Sequence, residues 1–280
     1  MKTIALFPKV KQPDAKKLAE QVITFLKEKK IHVVVEDDKA EVLNQPPLSS
    51  ANPGEIKYLI TMGGDGSILR VAHMYHYLDA AILGINLGHL GFMADVQIAD
   101  IIPCLEDLVN QKFSIQKRIM IEGTSPSGET FFAMNDCVLH RARNPSLVEM
   151  AIYVDDLYLN TFEADGVILA TPNGSTAYSL AAGGPILSPD IEAFVLTPIC
   201  PHTISNRPIV LTPNQEIQIE YVSENEPIEV VSDGLSRFEL QTGETIKLRR
   251  SPKTFKLVNL TRIDFFSTLR TKLGWSGKLR

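Results

Sequence analysis

A chain of 280 residues, 44% of them hydrophobic, is long enough to build two domains with a core each. Its formal net charge of −5 argues against nucleic acid or an anionic membrane as a main partner, so an anionic ligand must be drawn in by local loops and single Arg or Lys residues. No apolar run approaches the ~18 residues of a membrane span, and the 3 cysteines, Cys104, Cys137 and Cys200, fit a reducing compartment and lack paired zinc spacing.

The first strand is Thr3–Phe7, in an N-terminal stretch whose apolar part is too short for a signal peptide. Asp14–Lys29 reads as an amphipathic helix with Leu18, Val22, Phe25 and Leu26 on one face. Ile31–Val35 is the next strand, and Asp37–Glu55, with Pro46-Pro47 and Pro53-Gly54, reads as loop with room for one helical turn. Lys57–Met62 is a buried strand that runs into Gly63-Gly64-Asp65-Gly66-Ser67, and Ile68–Ala72 continues as helix. A glycine loop between a strand and a helix N-terminus cradles phosphate, because several N–H groups point one way at the positive end of the dipole. Asp65 is the odd member: a carboxylate facing phosphates is repelled unless it binds a metal or takes a proton, as a general base does. The plain alternative is a tight turn with Asp65 solvated. Ala81–Asn86 is another strand, followed by a second glycine loop, Leu87–Phe92, expected beside the first or as a simple turn, in which His89 is a loop residue and no catalyst. Ile98–Asn110 is helical, with Pro103 in its first turns. Strands alternating with helices predict a parallel sheet wrapped by helices.

After about Ile115 the texture changes to short strands between Gly, Pro, Asn or Ser turns: Gln116–Glu122, Thr130–Arg141, Glu149–Val154, Ile209–Leu211, Glu216–Val222, Ile228–Ser232 and Thr245–Arg250. Within them Met134-Asn135-Asp136-Cys137-Val138 interrupts an alternating strand with a polar pair that suits a ribose diol or an adenine edge, or else a strand-end turn. The block Asp165–Pro185 is the most telling stretch. Val167–Ala170 is a buried strand, Pro172-Asn173-Gly174 a turn, and Ser175 an N-cap for a helix through Ala182 that Gly183-Gly184 and Pro185 stop. Ser175, Thr176 and Tyr178 would then bring hydroxyls and free backbone N–H groups to one anion or sugar. The tail Phe255–Arg280 is mixed and basic, with Phe265, Phe266 and Leu269 on a helical face that is expected to pack back on the first domain.

The Asp165–Pro185 block resembles the long glycine- and threonine-rich signature of the NAD kinase family. Gly-Gly-Asp-Gly alone also resembles loops of phosphofructokinases and lipid kinases; beside the second block it resembles the NAD kinase catalytic loop. Asn135-Asp136 is similar to the family's short motif, in which many members have Glu at the second position. The resemblance covers nearly the whole chain, most strongly Gly63–Pro208, and implies an α/β + β fold: a Rossmann-like α/β domain over 1–115, a β-rich NAD-binding domain over 116–254, a tail 255–280 returning to the first domain, and the nucleotide in the cleft between.

Carried onto this sequence, the resemblance makes Asp65 the proton acceptor and Gly66 and Arg70 the rest of a nucleotide-contacting loop. It assigns nucleotide contacts to Asn135 and Asp136, and to Asp165, Asn173, Thr176, Ala177, Tyr178, Ser179, Leu180 and Ala181. Ser146, Glu163 and Cys200 match positions that vary in type within the family. Val231-Ser232-Asp233-Gly234 resembles a late Asp-Gly element, with Leu235 where relatives often carry a polar residue. Pro198–Pro208, with His202 and Arg207, matches as support and interface. The implied activity is that of a cytoplasmic NAD kinase: the terminal phosphoryl group of ATP, or of polyphosphate, passes to the 2′-hydroxyl of the adenosine ribose of NAD, giving NADP. A divalent cation, Mg²⁺ first, would offset charge, with ligands the sequence does not name, and the assembly would be a homodimer or homotetramer. A kinase for another hydroxyl substrate, such as a sugar phosphate or a lipid, and a non-catalytic dinucleotide sensor are the other readings. The hydroxyl-rich block speaks against a lipid, and Asp65 against a sensor.

Overall fold

The computed structural model describes residues 3–10, 13–88, 90–260 and 264–275. They fall into two compact units, one within 1–117 and 256–280, the other 118–255. His89, Met1 and Lys2 lie outside the described residues.

The first unit alternates strand and helix: β1 (Thr3–Phe7), α1 (Pro13–Glu28), β2 (His32–Val35), α2 (Ala40–Leu43), β3 (Ile56–Met62), α3 (Asp65–Met74), β4 (Ala81–Ile85) and α4 (Ile101–Val109). The strands pair in parallel in the order β2-β1-β3-β4. β1 and β4 are buried along their whole length, as in a sheet with both faces covered. On one face Ile4, Leu6, Ile60 and Leu83 meet Val22 and Leu26 of α1 and Leu105 and Leu108 of α4. On the other, α3 approaches so closely that the Ile68 side chain fills the space a Cβ on Gly84 would need. The segment 37–55, expected as loop, holds three one-turn 3₁₀ helices besides α2. The α2 turn stops at Asn44, whose φ of 49° is left-handed.

β5 (Phe113–Thr124) leads into the second unit, followed by β6 (Thr130–Ala133), β7 (Asp136–His140), β8 (Val148–Val154), β9 (Leu157–Ala164), β10 (Gly166–Ala170), α5 (Tyr178–Ala181), β11 (Phe194–Ile199), β12 (Ile209–Leu211), β13 (Ile217–Tyr221), β14 (Ile228–Ser232), β15 (Ser236–Leu240) and β16 (Thr245–Leu260). One antiparallel sheet runs β12-β11-β10-β7-β14-β15. In a second, the start of β16 pairs with β13, then β8, then β9. Cys137, Leu139, Val167, Leu169 and Phe194 of the first share a core with Met150, Ile152, Phe162, Ile219 and Leu248 of the second. β10 is buried on both faces: Ile168 and Ala170 join Val138 and Ile199 in a smaller cluster. Its apolar run therefore shows no alternation.

Three strands escape the sequence reading, each for a physical reason. β9 is entered through Asp155-Asp156, both left-handed (φ 50° and 64°), a hairpin turn that usually carries Gly. β11 contains Pro198, which argues against a strand, and β15 is short and mostly exposed. Thr130–Arg141 is two strands, with Met134-Asn135 between them. β16 continues to Leu260, so the start of the expected tail is strand: Leu257 pairs with Ile82 of β4, and Val258 and Leu260 enter the first unit's core. α6 (Phe265–Leu273) follows, capped by the Asp264 carboxylate, which accepts from Ser267 N at 2.9 Å, and ended by Gly274 at φ 66°. It packs on the second glycine loop: Lys272 Nζ donates to Leu90 O at 2.8 Å, and the Phe265 and Phe92 rings lie 6.0 Å apart.

Candidate active site

In the first unit the loops after the neighbouring parallel strands β3 and β4 meet at Asp65. It is the first residue of α3, with Gly64 as N-cap. Its Oδ1 accepts from Met93 N at 3.0 Å and Ala94 N at 2.8 Å, and its Oδ2 from Phe92 N at 2.9 Å. Gly91 has no room for a side chain because the Asp65 carboxylate occupies it. A carboxylate offers about four lone-pair sites, so Oδ2 keeps one for a further partner. On the other side, Ser67 Cβ and Lys9 Cε crowd Gly63, at 2.9 and 3.1 Å from where its Cβ would stand, whereas Gly64 and Gly66 face open space.

Arg70, expected in the nucleotide-contacting loop, lies on α3 and is forked onto Glu36. NH1 donates to Oε1 at 2.6 Å and NH2 to Oε2 at 3.2 Å, and this hydrogen bond holds the guanidinium pKa above its ordinary value.

In the second unit the Asn135-Asp136 pair is held from two sides. β7 and β10 are antiparallel with Asp136 opposite Ala170, which brings Thr171 beside Asn135. Thr171 N donates to Asn135 O at 2.8 Å, Thr171 Oγ1 to Met134 O at 2.6 Å, and Asn173 Nδ2 to Asn135 Oδ1 at 2.6 Å. Gly174 lies flat on the Asn135 backbone, its missing Cβ only 2.8 Å from Asn135 Cα. From the β14–β15 turn, Asp233 accepts three consecutive backbone N–H groups: Met134 at 2.8 Å, Asn135 at 2.7 Å and Asp136 at 3.2 Å. The Asp136 side chain is buried, and burial first, then the Asp233 charge, pushes its pKa up to about 7.

A cavity of about 350 Å³ opens here, lined by Asn135, Asp136, Ala177 and Tyr178, and also by Val138, His140, Val231, Asp233 and Gly234. His140 Nδ1 accepts from Ala142 N at 3.1 Å, which leaves the Nε2 proton to face Glu229 at 3.4 Å. The last five lining residues were not chosen as site residues. Val138, His140 and Val231 read as ordinary alternating strand, and only the Asp-Gly resemblance pointed to Asp233.

The expected helix from Ser175 to Ala182 is a correction. A 3₁₀ turn spans Gly174–Thr176, the chain breaks at Ala177 (φ −100°, ψ −127°), and α5 covers only Tyr178–Ala181. Ser175 caps nothing: its hydroxyl is buried, donates to Pro172 O at 2.7 Å and accepts from Leu187 N at 3.0 Å. Ser179 Oγ bonds Thr197 Oγ1 at 2.9 Å, and Thr176 Oγ1 donates to Asn173 O at 3.2 Å. Buried hydroxyls take internal partners, so Tyr178 alone brings a hydroxyl-bearing side chain from this segment to the cavity. Leu180 is half-buried and Ala181 exposed.

The remaining expected residues do not line this cavity. Asp165 is paired with Arg141 Nε at 2.7 Å, and Glu163 lies 3.5 Å from His202 Nδ1. Ser146 is exposed before β8, and Cys200 is exposed after β11 with a left-handed φ of 45°. Among the described residues no three His, Cys, Asp or Glu side chains converge as a metal cage.

Two family models match the chain: the ATP-NAD kinase N-terminal domain over residues 4–113 and the ATP-NAD kinase C-terminal domain over 134–260. The chain is 53% identical to an NAD kinase of Protochlamydia amoebophila over 277 residues, covering 99% of both chains. It is 37% identical to an NAD kinase of Geobacter metallireducens, covering 98% of this chain and 99% of the other. Among solved structures, yeast NADH kinase complexed with NADH is similar at a TM-score of 0.90 and 29% identity, covering 100% of this chain and 89% of that one. Both domain models and full-length relatives agree: the chain belongs to the NAD kinase family.

Proposed function

We propose that this enzyme phosphorylates NAD to NADP with Asp65 Oδ2 as acceptor of the 2′-hydroxyl proton and the Asn135-Asp136 turn as the grip on a ribose of the dinucleotide. The observation that carries the second role is the way the pair is presented. Asn135 Oδ1 is already used by Asn173, so Asn135 offers its amide N–H groups, while Asp136 offers acceptors. One donor beside one acceptor matches a vicinal diol. Phosphoryl transfer depends mostly on positioning and charge neutralisation, so an attacking hydroxyl held in line needs little more than a proton acceptor.

ATP is the phosphoryl donor in this reading, with polyphosphate as the other candidate. Gly64 and Gly66 flank Asp65 without side chains, which lets phosphate approach the N–H groups at the start of α3. Mg²⁺ is ordinarily held by one or two carboxylates plus substrate phosphates and water. The absence of a protein cage among the described residues therefore suits an ion that travels with the nucleotide and supplies charge neutralisation. Three free cysteines suit a cytoplasmic location, and among the described residues no helix is long and apolar enough to cross a membrane.

The working unit is a homodimer or homotetramer. β9 is an edge strand carrying Leu157 and Tyr158, 74% and 60% exposed, and Ile204, 83% exposed, lies in the segment that Asn206 ties to Asn160 of β9. Ser146, Glu163, Asp165 and Cys200 would serve a neighbouring subunit's nucleotide. Incubating the protein with NAD, Mg²⁺ and each donor, then detecting NADP with an NADP-specific dehydrogenase, tests the activity; no NADP with either donor overturns it. For the assembly, mixing Asp65→Asn with a bulky Cys200→Trp under subunit exchange should restore part of the activity, and a fully active monomer would refute a shared site.

A further inference from the structure

The Asp233 carboxylate meets Asn135 and Asp136 only through their backbone N–H groups, and in doing so it shapes the segment that carries both side chains. The chain between β6 and β7 leaves the sheet at Met134 and Asn135, so their N–H groups have no strand to pair with. Asp233, about a hundred residues later, takes them both and the N–H of Asp136 as well: Oδ2 from Met134, Oδ1 from Asn135 and Asp136. The bond back, Asp233 N to Asp136 O at 3.0 Å, closes the ring. The adjacent Ser232 hydroxyl donates to Phe132 O, which ties the same turn to the end of β6. Asp233 reaches this position only in a left-handed conformation (φ 49°), followed by Gly234 at φ 69°, so the β14–β15 turn is built to aim it.

We infer that Asp233 is a positioning residue for the dinucleotide: by gathering the three N–H groups of Met134–Asp136 it points the Asn135 and Asp136 side chains at the sugar. The inference rests on the reading of that pair as a ribose grip. The Asp233 charge also acts on Asp136, whose carboxyl it helps burial to hold near neutrality. The other ionisable groups at the cavity are His140 with its partner Glu229, and Tyr178; Cys137, next to Asp136 on β7, is buried in the core on the opposite face.

The test compares Asp233→Ala, Asp233→Asn and Asp136→Ala by steady-state kinetics with NAD and ATP varied in turn, across pH. KM does not depend on the fraction of protein that is folded, so the comparison survives partial unfolding. Asp233→Ala should raise KM for NAD by about 10- to 100-fold, the loss of charge-assisted hydrogen bonds, with KM for ATP within about twofold. Asp233→Asn keeps one acceptor oxygen and should fall between Ala and the parent. It also removes a like charge, so the rise of NAD affinity with pH should move to lower pH. A purely structural role would lower thermal stability without splitting the two KM values. If Asp136→Ala raises KM for NAD and neither Asp233 variant does, the positioning role is wrong and the ribose grip stands. If none of the three moves it, both are wrong.

Discussion

Gly174→Ala tests the local architecture of the site without removing any polar group. Gly174 is buried, its φ is not left-handed, and alanine suits its backbone, so the penalty is steric alone. The new methyl would overlap the Asn135 carbonyl and stand 2.8 Å from Asn135 Cα, both backbone atoms that cannot rotate away. The 171–176 turn must lift off β7, stretching the Thr171 N–Asn135 O bond (2.8 Å) and the Asn173–Asn135 side-chain bond (2.6 Å). Overpacking costs about 1–3 kcal/mol, and two weakened hydrogen bonds add about 1 kcal/mol each. At about 2–4 °C per kcal/mol for a domain of this size, a total near 4 kcal/mol lowers Tm by roughly 8–16 °C. Calorimetry reads the shift, and NAD titration of the folded protein reads a loss of affinity, because Asn135 is displaced. A Tm within about 2 °C of the parent, with unchanged NAD affinity, would show that the turn does not depend on this contact.

Gly66→Ala is the matching contrast: open space awaits its Cβ, so it should leave Tm unchanged or raise it by helix propensity while raising KM for ATP, and unchanged kinetics would remove phosphate from that loop. Asp65→Asn should cut turnover by about 10²-fold or more. It is not shape-neutral, since the amide would set an N–H against Phe92 N–H or Met93 and Ala94 N–H, and faster proteolysis of the 88–94 loop should accompany the loss. For Asp136 the sign follows from a folded pKa of about 7 against an ordinary 3.8. Its carboxyl supports the unliganded fold below pH 4, and that support is lost as pH rises to 7. Asp136→Asn should therefore stabilise the unliganded protein at pH 8 relative to the parent and make little difference at pH 4, as read by Tm in each buffer. An equal effect at both would put the carboxyl in water.

The alternation of strand and helix in the first unit was legible because its strands are continuous apolar runs and its helix α1 has a clear stripe. The second unit was legible as β-rich but not strand by strand: β9 is introduced by two left-handed aspartates without glycine, and β11 hides behind a proline. At the site, the Asp65 and Asn135-Asp136 positions could be chosen from residue type and resemblance. What the residues near Asp65 do could not, since backbone N–H groups of Phe92, Met93 and Ala94 carry no side-chain signature. Ser175 and Ser179 looked like ligand contacts for the same reason in reverse: a hydroxyl in sequence does not reveal whether it faces a sugar or a buried carbonyl. The Arg70–Glu36 pair was equally out of reach, because its partners stand 34 positions apart in the sequence.

The interrupted first unit has a consequence for synthesis. A ribosome releases β1–β4 early, then all of residues 118–255, and only afterwards the end of β16 with Leu257, Val258 and Leu260. Until then the nascent first unit lacks the strand that pairs with β4, and Leu83 and Ile85 wait for core partners that do not yet exist. The inserted β unit can complete its own sheets during that delay. Stalling or premature termination just short of residue 256 should thus yield a chain with a finished insert and an unfinished host, a form for chaperones to hold or proteases to clear.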